Sequence, residues 1–87
     1  MVKEVVHNRQ LLASSKRLTK KARAEIARRL RKIRDDQGLQ QIEVARAVGA
    51  NQRSVSFYES GHTIPRVDIL LNYSDLGGVT VDWILRG

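Results

Sequence analysis

The sequence predicts an all-α domain of five short helices, on three observations. Leu18, Ala22, Ile26, Leu30 and Ile33 recur at steps of four or three, the spacing of one buried helical stripe. No segment alternates apolar and polar residues as a half-buried strand would. Glycines and a proline (Gly38, Gly49, Gly61, Pro65, Gly77, Gly78) then cut the remaining chain into helix-sized pieces joined by short connections.

The first helix carries that stripe, with Thr19 as its N-cap and Gly38 just past its end. Its opposite face holds Lys20, Arg23, Arg28, Arg31 and Lys32. A second helix is expected from about Gln41 to Val48, stopped by Gly49, whose lack of a Cβ admits the left-handed turn that follows. Asn51 offers a side-chain oxygen to the free N–H groups of a third helix, which ends before Gly61. Pro65 pre-sets the start of a fourth, with Val67, Leu70 and Leu71 on its core face. Gly77 and Gly78 break it, and Thr80 caps a fifth that contains Val81, Trp83, Ile84 and Leu85. Residues 18–87 are thus expected to form the domain, preceded by a basic extension over residues 1–17.

Bulk composition narrows the function. Eighty-seven residues with 41% hydrophobic content make one small domain with a modest core and no room for a deep catalytic cleft. The chain has no cysteine, and His7 and His62 lie far apart, so no metal or other cofactor is expected. Asp35 and Asp36, the only adjacent carboxylates, read as a helix end rather than as catalytic groups. No apolar run reaches the roughly 18 residues of a membrane span, so a cytoplasmic location is expected and no membrane partner.

The net charge of +7 is unevenly spread. Residues 1–34 hold twelve Lys or Arg against Glu4 and Glu25, whereas residues 35–87 hold four against seven acids. A merely solvated surface would mix both signs, so the imbalance points to a polyanion.

The second and third helices carry the sharpest signal. Two helices cross steeply over a tight turn only if the contact residues are small or apolar, and Ala45, Val44 and Val48 meet that need. If Val55 and Tyr58 anchor the third helix from behind, about 100° per residue turns Arg53, Ser56, Phe57 and Ser60 outward, with Gln52 projecting from the first turn. Arginine pairs bidentately with guanine, glutamine with adenine, and an aromatic ring touches a thymine methyl. Gln52, Arg53, Ser56 and Phe57 are therefore candidate base contacts. An ordinary surface helix would explain Arg53 and Ser56 but not an exposed Phe57. Glu59 would repel phosphates unless neutralised, and Arg34 is the candidate to do so.

These residues carry a resemblance. From about Leu18 onward the chain resembles the helix-turn-helix domain of lambdoid phage repressors and Cro proteins, the Xre-like group. The matching features are Arg34, the GLQQ entry to the second helix, Ala45, Val48-Gly49, Asn51-Gln52, Glu59, Gly61, Pro65 and the ending GVTVDWILRG. The resemblance implies a helix-turn-helix at about 41–60 and a recognition helix over 52–60 lying in the DNA major groove. It assigns base reading to Gln52, Arg53 and Phe57, and backbone phosphates to Asn51 and Ser60. Gln41 is implied to hold a phosphate and brace Gln52, while Arg34 and Glu59 form a structural ion pair. His62 stands where many members have a lysine on the DNA backbone. Lys16 and Arg17 match a basic arm reaching around the duplex. Relatives carry glutamine or alanine at the position of Phe57, so no operator sequence transfers.

The function implied is a repressor that binds a palindromic or pseudo-palindromic operator as a homodimer, through Ile64, Val81, Trp83 and Ile84. Two alternatives use the same domain. One is an antitoxin or restriction–modification controller, whose Val2, Val5, Val6, Leu11 and Leu12 would hold a toxin or another protein partner. The other is a protein-interaction module that keeps the fold without binding DNA.

Overall fold

A computed structural model describes residues 18–87, and among these every regular element is helical. In chain order the helices are α1 (Lys20–Asp36), α2 (Gln41–Val48), α3 (Gln52–Glu59), α4 (Val67–Gly77) and α5 (Val81–Arg86). This is the five-helix architecture the sequence predicts. The basic arm with Lys16 and Arg17, and the apolar residues proposed to hold a protein partner, lie outside the described residues.

Capping fixes the element boundaries. Thr19 Oγ1 accepts from the Ala22 amide at 3.0 Å, and Thr80 Oγ1 accepts from the Trp83 amide at 2.9 Å. Each satisfies one of the orphan donors that open a helix, a contribution of about 1 kcal/mol. Glu43 Oε1 accepts from the Gln40 amide at 2.8 Å and closes the start of α2 in the same manner.

The core forms where α1 packs on α3, α4 and α5, with α2 closing it through its contacts to α3 and α4. Ile26, Leu30 and Ile33 meet Val44, Ala45 and Val48 of α2, Val55 of α3, Ile69, Leu70 and Tyr73 of α4, and Ile84 of α5. Burying each large aliphatic side chain stabilises the fold by about 1.5–3 kcal/mol relative to leaving it exposed.

The α1 stripe differs at its start. Leu18 precedes the cap and is 49% exposed, and Ala22 is only half-buried. The larger difference lies in α4. Val67 and Leu71 are 70% and 52% exposed rather than buried, and the buried row is Ile69, Leu70 and Tyr73. Gly77 extends the row Ile69–Tyr73 by one more step of four. A Cβ there would come within 3.0 Å of two Ile33 carbons, so the missing side chain is what lets α4 lie this close to α1. The rotation of α4 follows from a large aromatic ring and an absent side chain facing the core together. Pro65 is buried two residues before the helix instead of opening it, and Arg66 is the N-cap residue.

Ile84 is fully buried and has no surface to offer a second copy, a correction to its expected place in a dimer interface. Trp83, Val81 and Ile64 pack partly against the core and keep some exposed surface. Arg29 is the unexpected buried cation. Its Nη1 donates to the Ile84 carbonyl at 3.1 Å and its Nη2 to Glu25 Oε1 at 3.3 Å. The guanidinium thereby satisfies an orphan carbonyl at the end of α5 and ties that helix to α1.

Candidate nucleic-acid interface

α3 is anchored by two fully or nearly buried side chains, Val55 and Glu59. Tyr58, expected to share that role with Val55, is half-buried and meets Tyr73 edge-on at 6.3 Å between ring centroids. The difference has a chemical cause: Glu59 reaches inward to a guanidinium and occupies the deeper position.

Arg34 Nε and Nη2 donate to the two Glu59 carboxylate oxygens at 2.7 and 3.0 Å, a bidentate pair. Arg34 Nη1 also holds the Leu39 carbonyl at 3.2 Å. The Glu59 bonds hold the Arg34 guanidinium above its ordinary range, against the opposing effect of burial. A bidentate contact fixes orientation as well as distance, so α3 cannot roll about its axis without breaking it. Arg31 adds a bond from its Nη1 to the Glu59 carbonyl at the end of the same helix.

From this pair a polar chain runs outward. Gln41 Nε2 donates to Glu59 Oε1 at 3.2 Å, and Gln41 Oε1 lies 3.5 Å from Gln52 Nε2, the outer limit of a hydrogen bond. One N–H of the Gln52 amide is thus directed back into the protein. The other N–H and the oxygen remain for an adenine edge. Both polar ends of Gln41 face these two partners, so in this state the side chain braces Gln52 rather than facing outward to a phosphate.

Asn51 is the N-cap of α3, its Oδ1 accepting from the Ser54 amide at 2.8 Å. The carboxamide NH₂ is left for an outside acceptor. Gln52, Arg53, Ser56 and Ser60 are all exposed. Ser60 Oγ donates to the Phe57 carbonyl at 3.1 Å, which leaves its lone pairs rather than its proton outward.

Phe57 is half-buried and has two neighbours at its ring. The Arg53 guanidinium carbon lies 5.5 Å from the Phe57 ring centroid, and the His62 ring lies 4.9 Å away at a 32° tilt. This column explains the surface aromatic that solvation alone does not. It is built by the turn after α3. The His62 amide donates to the Phe57 carbonyl at 3.0 Å and the Gly61 amide to the Tyr58 carbonyl at 3.3 Å. That pair of bonds is a Schellman ending, and it requires the left-handed φ of +77° that Gly61 adopts. The turn sequence therefore delivers His62 to the flank of Phe57.

The outer faces of α3 and its capping residues thus bring Asn51, Gln52, Arg53, Ser56, Phe57, Ser60 and His62 onto one surface. Nothing in the spacing of residues points to Arg31 or Arg29, because an arginine that holds a distant carbonyl follows no periodic rule. Both lie in the basic helix read as phosphate-facing. Arg28 pairs with Glu25 at 3.2 Å and Lys32 with Asp36 at 3.1 Å, so part of that charge is neutralised along the helix itself.

Comparison with known proteins agrees with this fold. A helix-turn-helix family model matches residues 30–84, more than half of the chain. Two solved structures are similar. One is the P22 c2 repressor protein in complex with the synthetic operator 9T in the presence of Tl+, with a TM-score of 0.69 and 26% identity over 71% of this chain and 94% of that one. The other is the hypothetical transcription factor NHTF from Neisseria, with a TM-score of 0.67 and 25% identity over 78% of this chain and 79% of that one. By its matched residues and its five-helix architecture, the chain belongs to the helix-turn-helix family of the lambda-repressor type.

Proposed function

We propose that this protein regulates transcription by binding double-stranded DNA in a sequence-specific manner, as a repressor whose dimer occupies a two-fold symmetric operator. The observation that carries the reading is the pairing of a rigid inner face with a polar outer face on one short helix. Val55 and the Arg34–Glu59 pair hold α3 from behind, and Gln52, Arg53 and Ser56 stand exposed in front. Rigidity matters because a base-edge hydrogen bond discriminates only when the donor is held in register. The likeness to a repressor solved with its operator supports the same reading.

In the proposed complex α3 enters the major groove. Gln52 and Arg53 read base edges, Phe57 rests against a thymine methyl, and Asn51, Ser60 and His62 contact the sugar–phosphate backbone. One domain covers a half-site, and two copies place their α3 helices about 34–36 Å apart on successive groove faces. Ile64, Val81 and Trp83 contribute to the pairing surface, together with Val67 and Leu71, the most exposed apolar pair on α4.

Selection of bound duplexes from a random pool tests this directly. The expected product is a pair of inverted half-sites at fixed spacing. Arg53→Ala should then cost about 1–3 kcal/mol on the selected duplex and relax preference at one base pair. A pool that returns no enriched sequence would overturn the reading.

A further inference from the structure

The basic residues of α1 divide into two groups. Arg28, Arg29 and Lys32 pair with carboxylates of their own helix, and Arg31 and Arg34 are held against Glu59. Lys20, Lys21 and Arg23 make no ion pair with a carboxylate of the described residues. Of these, Lys20 and Arg23 line an open cavity of about 620 Å³ between the start of α1 and the turn that follows α3. Ser60, Gly61 and His62 form the opposite wall, and among the described residues no carboxylate lines it.

The cavity is built rather than incidental. The turn sits close on α1: a Cβ at Gly61 would lie 3.6 Å from the Arg23 carbonyl oxygen, so the two walls are held at van der Waals distance. One rim is His62, whose ring packs on Phe57 at 4.9 Å, so the cavity borders the base-reading surface directly. The other rim is the first turn of a 17-residue helix that carries no acidic residue there. Such a helix end favours an anion through its unpaired amides and dipole, and here the usual compensating carboxylate is absent.

We propose that this cavity is a phosphate clamp. It takes a backbone phosphodiester of the duplex at the edge of the half-site, with Lys20 and Arg23 on one side and His62 on the other. This assignment rests on the DNA-binding reading above and adds Lys20 and Arg23, on an element outside the helix-turn-helix, to its backbone contacts. The chemistry suits one phosphate. Lys20 supplies a point charge and Arg23 a planar donor set. Because the clamp is fixed relative to α3, a phosphate seated in it would set how far that helix advances along the groove.

The test uses the full chain and the duplex selected above. Neutral methylphosphonate is substituted at one backbone position at a time across and beside the half-site. One position outside the α3 footprint should weaken wild-type binding by about 5- to 20-fold. The double variant K20Q/R23Q should bind every duplex more weakly by a similar factor and lose about 1 from the slope of log affinity against log salt. On that variant the same methylphosphonate should have no further effect, while base preferences remain as in wild type. R23Q alone, with thermal unfolding measured beside it, guards against a folding defect in the double variant. Unchanged affinity and salt slope in K20Q/R23Q, with R53A still losing sequence preference, would overturn the clamp and leave the DNA-binding reading intact. Failure of the wild-type chain to prefer any duplex would instead remove both.

Discussion

Among the described residues Tyr73 is the largest fully buried side chain, and its hydroxyl has no hydrogen-bond partner there. Burial pushes its phenol up from the ordinary range, helped by the nearby Glu59 and Tyr58. The folded state therefore keeps this proton at a pH where an unfolded tyrosine, with a pKa of about 10, gives it up. The contribution is fully present below about pH 10 and is lost as pH rises beyond it. Tyr73→Phe removes both the unpaired hydroxyl and this alkaline loss. At pH 7 the variant should match or exceed wild type by up to about 1–2 kcal/mol. Between pH 9 and 11 its urea midpoint should fall less than that of wild type. A variant clearly weaker at pH 7 would show that the hydroxyl contributes a bond.

Legibility at this scale depended on what each residue does. Thr19, Asn51 and Thr80 were readable as caps because capping needs only a short polar side chain next to a helix. Arg34 and Glu59 are 25 positions apart, and what linked them was charge, a carboxylate on a DNA-facing helix needing a cation, with the resemblance agreeing. Their depth still displaced Tyr58 from its expected place, since periodicity alone ranks an aromatic as more buried than a carboxylate. The Arg53–Phe57–His62 column could not be read in advance. It depends on the Gly61 turn bringing His62 back alongside Phe57, and that geometry leaves no periodic trace.

At the scale of elements, α4 shows what a periodic reading omits. Val67, Leu70 and Leu71 make as good an apolar triplet as Ile69, Leu70 and Tyr73, and neighbouring helices decide between them. The deciding contact is one that apolar counting cannot score: Gly77, against Ile33. In an isolated helix Gly77→Ala would be favourable by about 1 kcal/mol. Here the added methyl would meet two Ile33 carbons at 3.0 Å, and Ile33 is itself only 3% exposed, so it has little space to yield. Overpacking of this kind costs about 1–3 kcal/mol and should outweigh the propensity gain. Gly77→Ala is therefore expected to lower the free energy of unfolding by up to about 2 kcal/mol, read from its denaturation curve. A more stable variant would mean that α1 and α4 separate easily. Because α1 also supplies Arg34, the same variant should weaken operator binding modestly without changing which bases are preferred.

At the scale of the whole molecule, charge and apolar surface occupy different parts of the domain. Lys20 and Arg23, without an acidic partner among the described residues, sit at the start of α1 beside the turn that follows α3, whereas Val67 and Leu71 expose an apolar strip on α4. Exposed apolar residues one helical turn apart are what a self-associating surface needs, and singly they would need no explanation. If the proposed dimer forms through this strip, Leu71→Glu should separate two properties that are coupled in wild type. Its fold should be nearly unaffected, because an exposed position changes stability by about 0.5 kcal/mol or less. Its affinity for a duplex carrying a single half-site should be unchanged, since α3 is untouched. Its affinity for the full two-half-site duplex should fall by about tenfold, which is 1.4 kcal/mol of lost coupling between the protomers. Titrating both duplexes at matched salt, with sedimentation of the bound complexes, gives the comparison. If Leu71→Glu keeps wild-type cooperativity, the strip plays no part in pairing, and the contact falls to the half-buried Ile64, Val81 and Trp83 on the neighbouring surface.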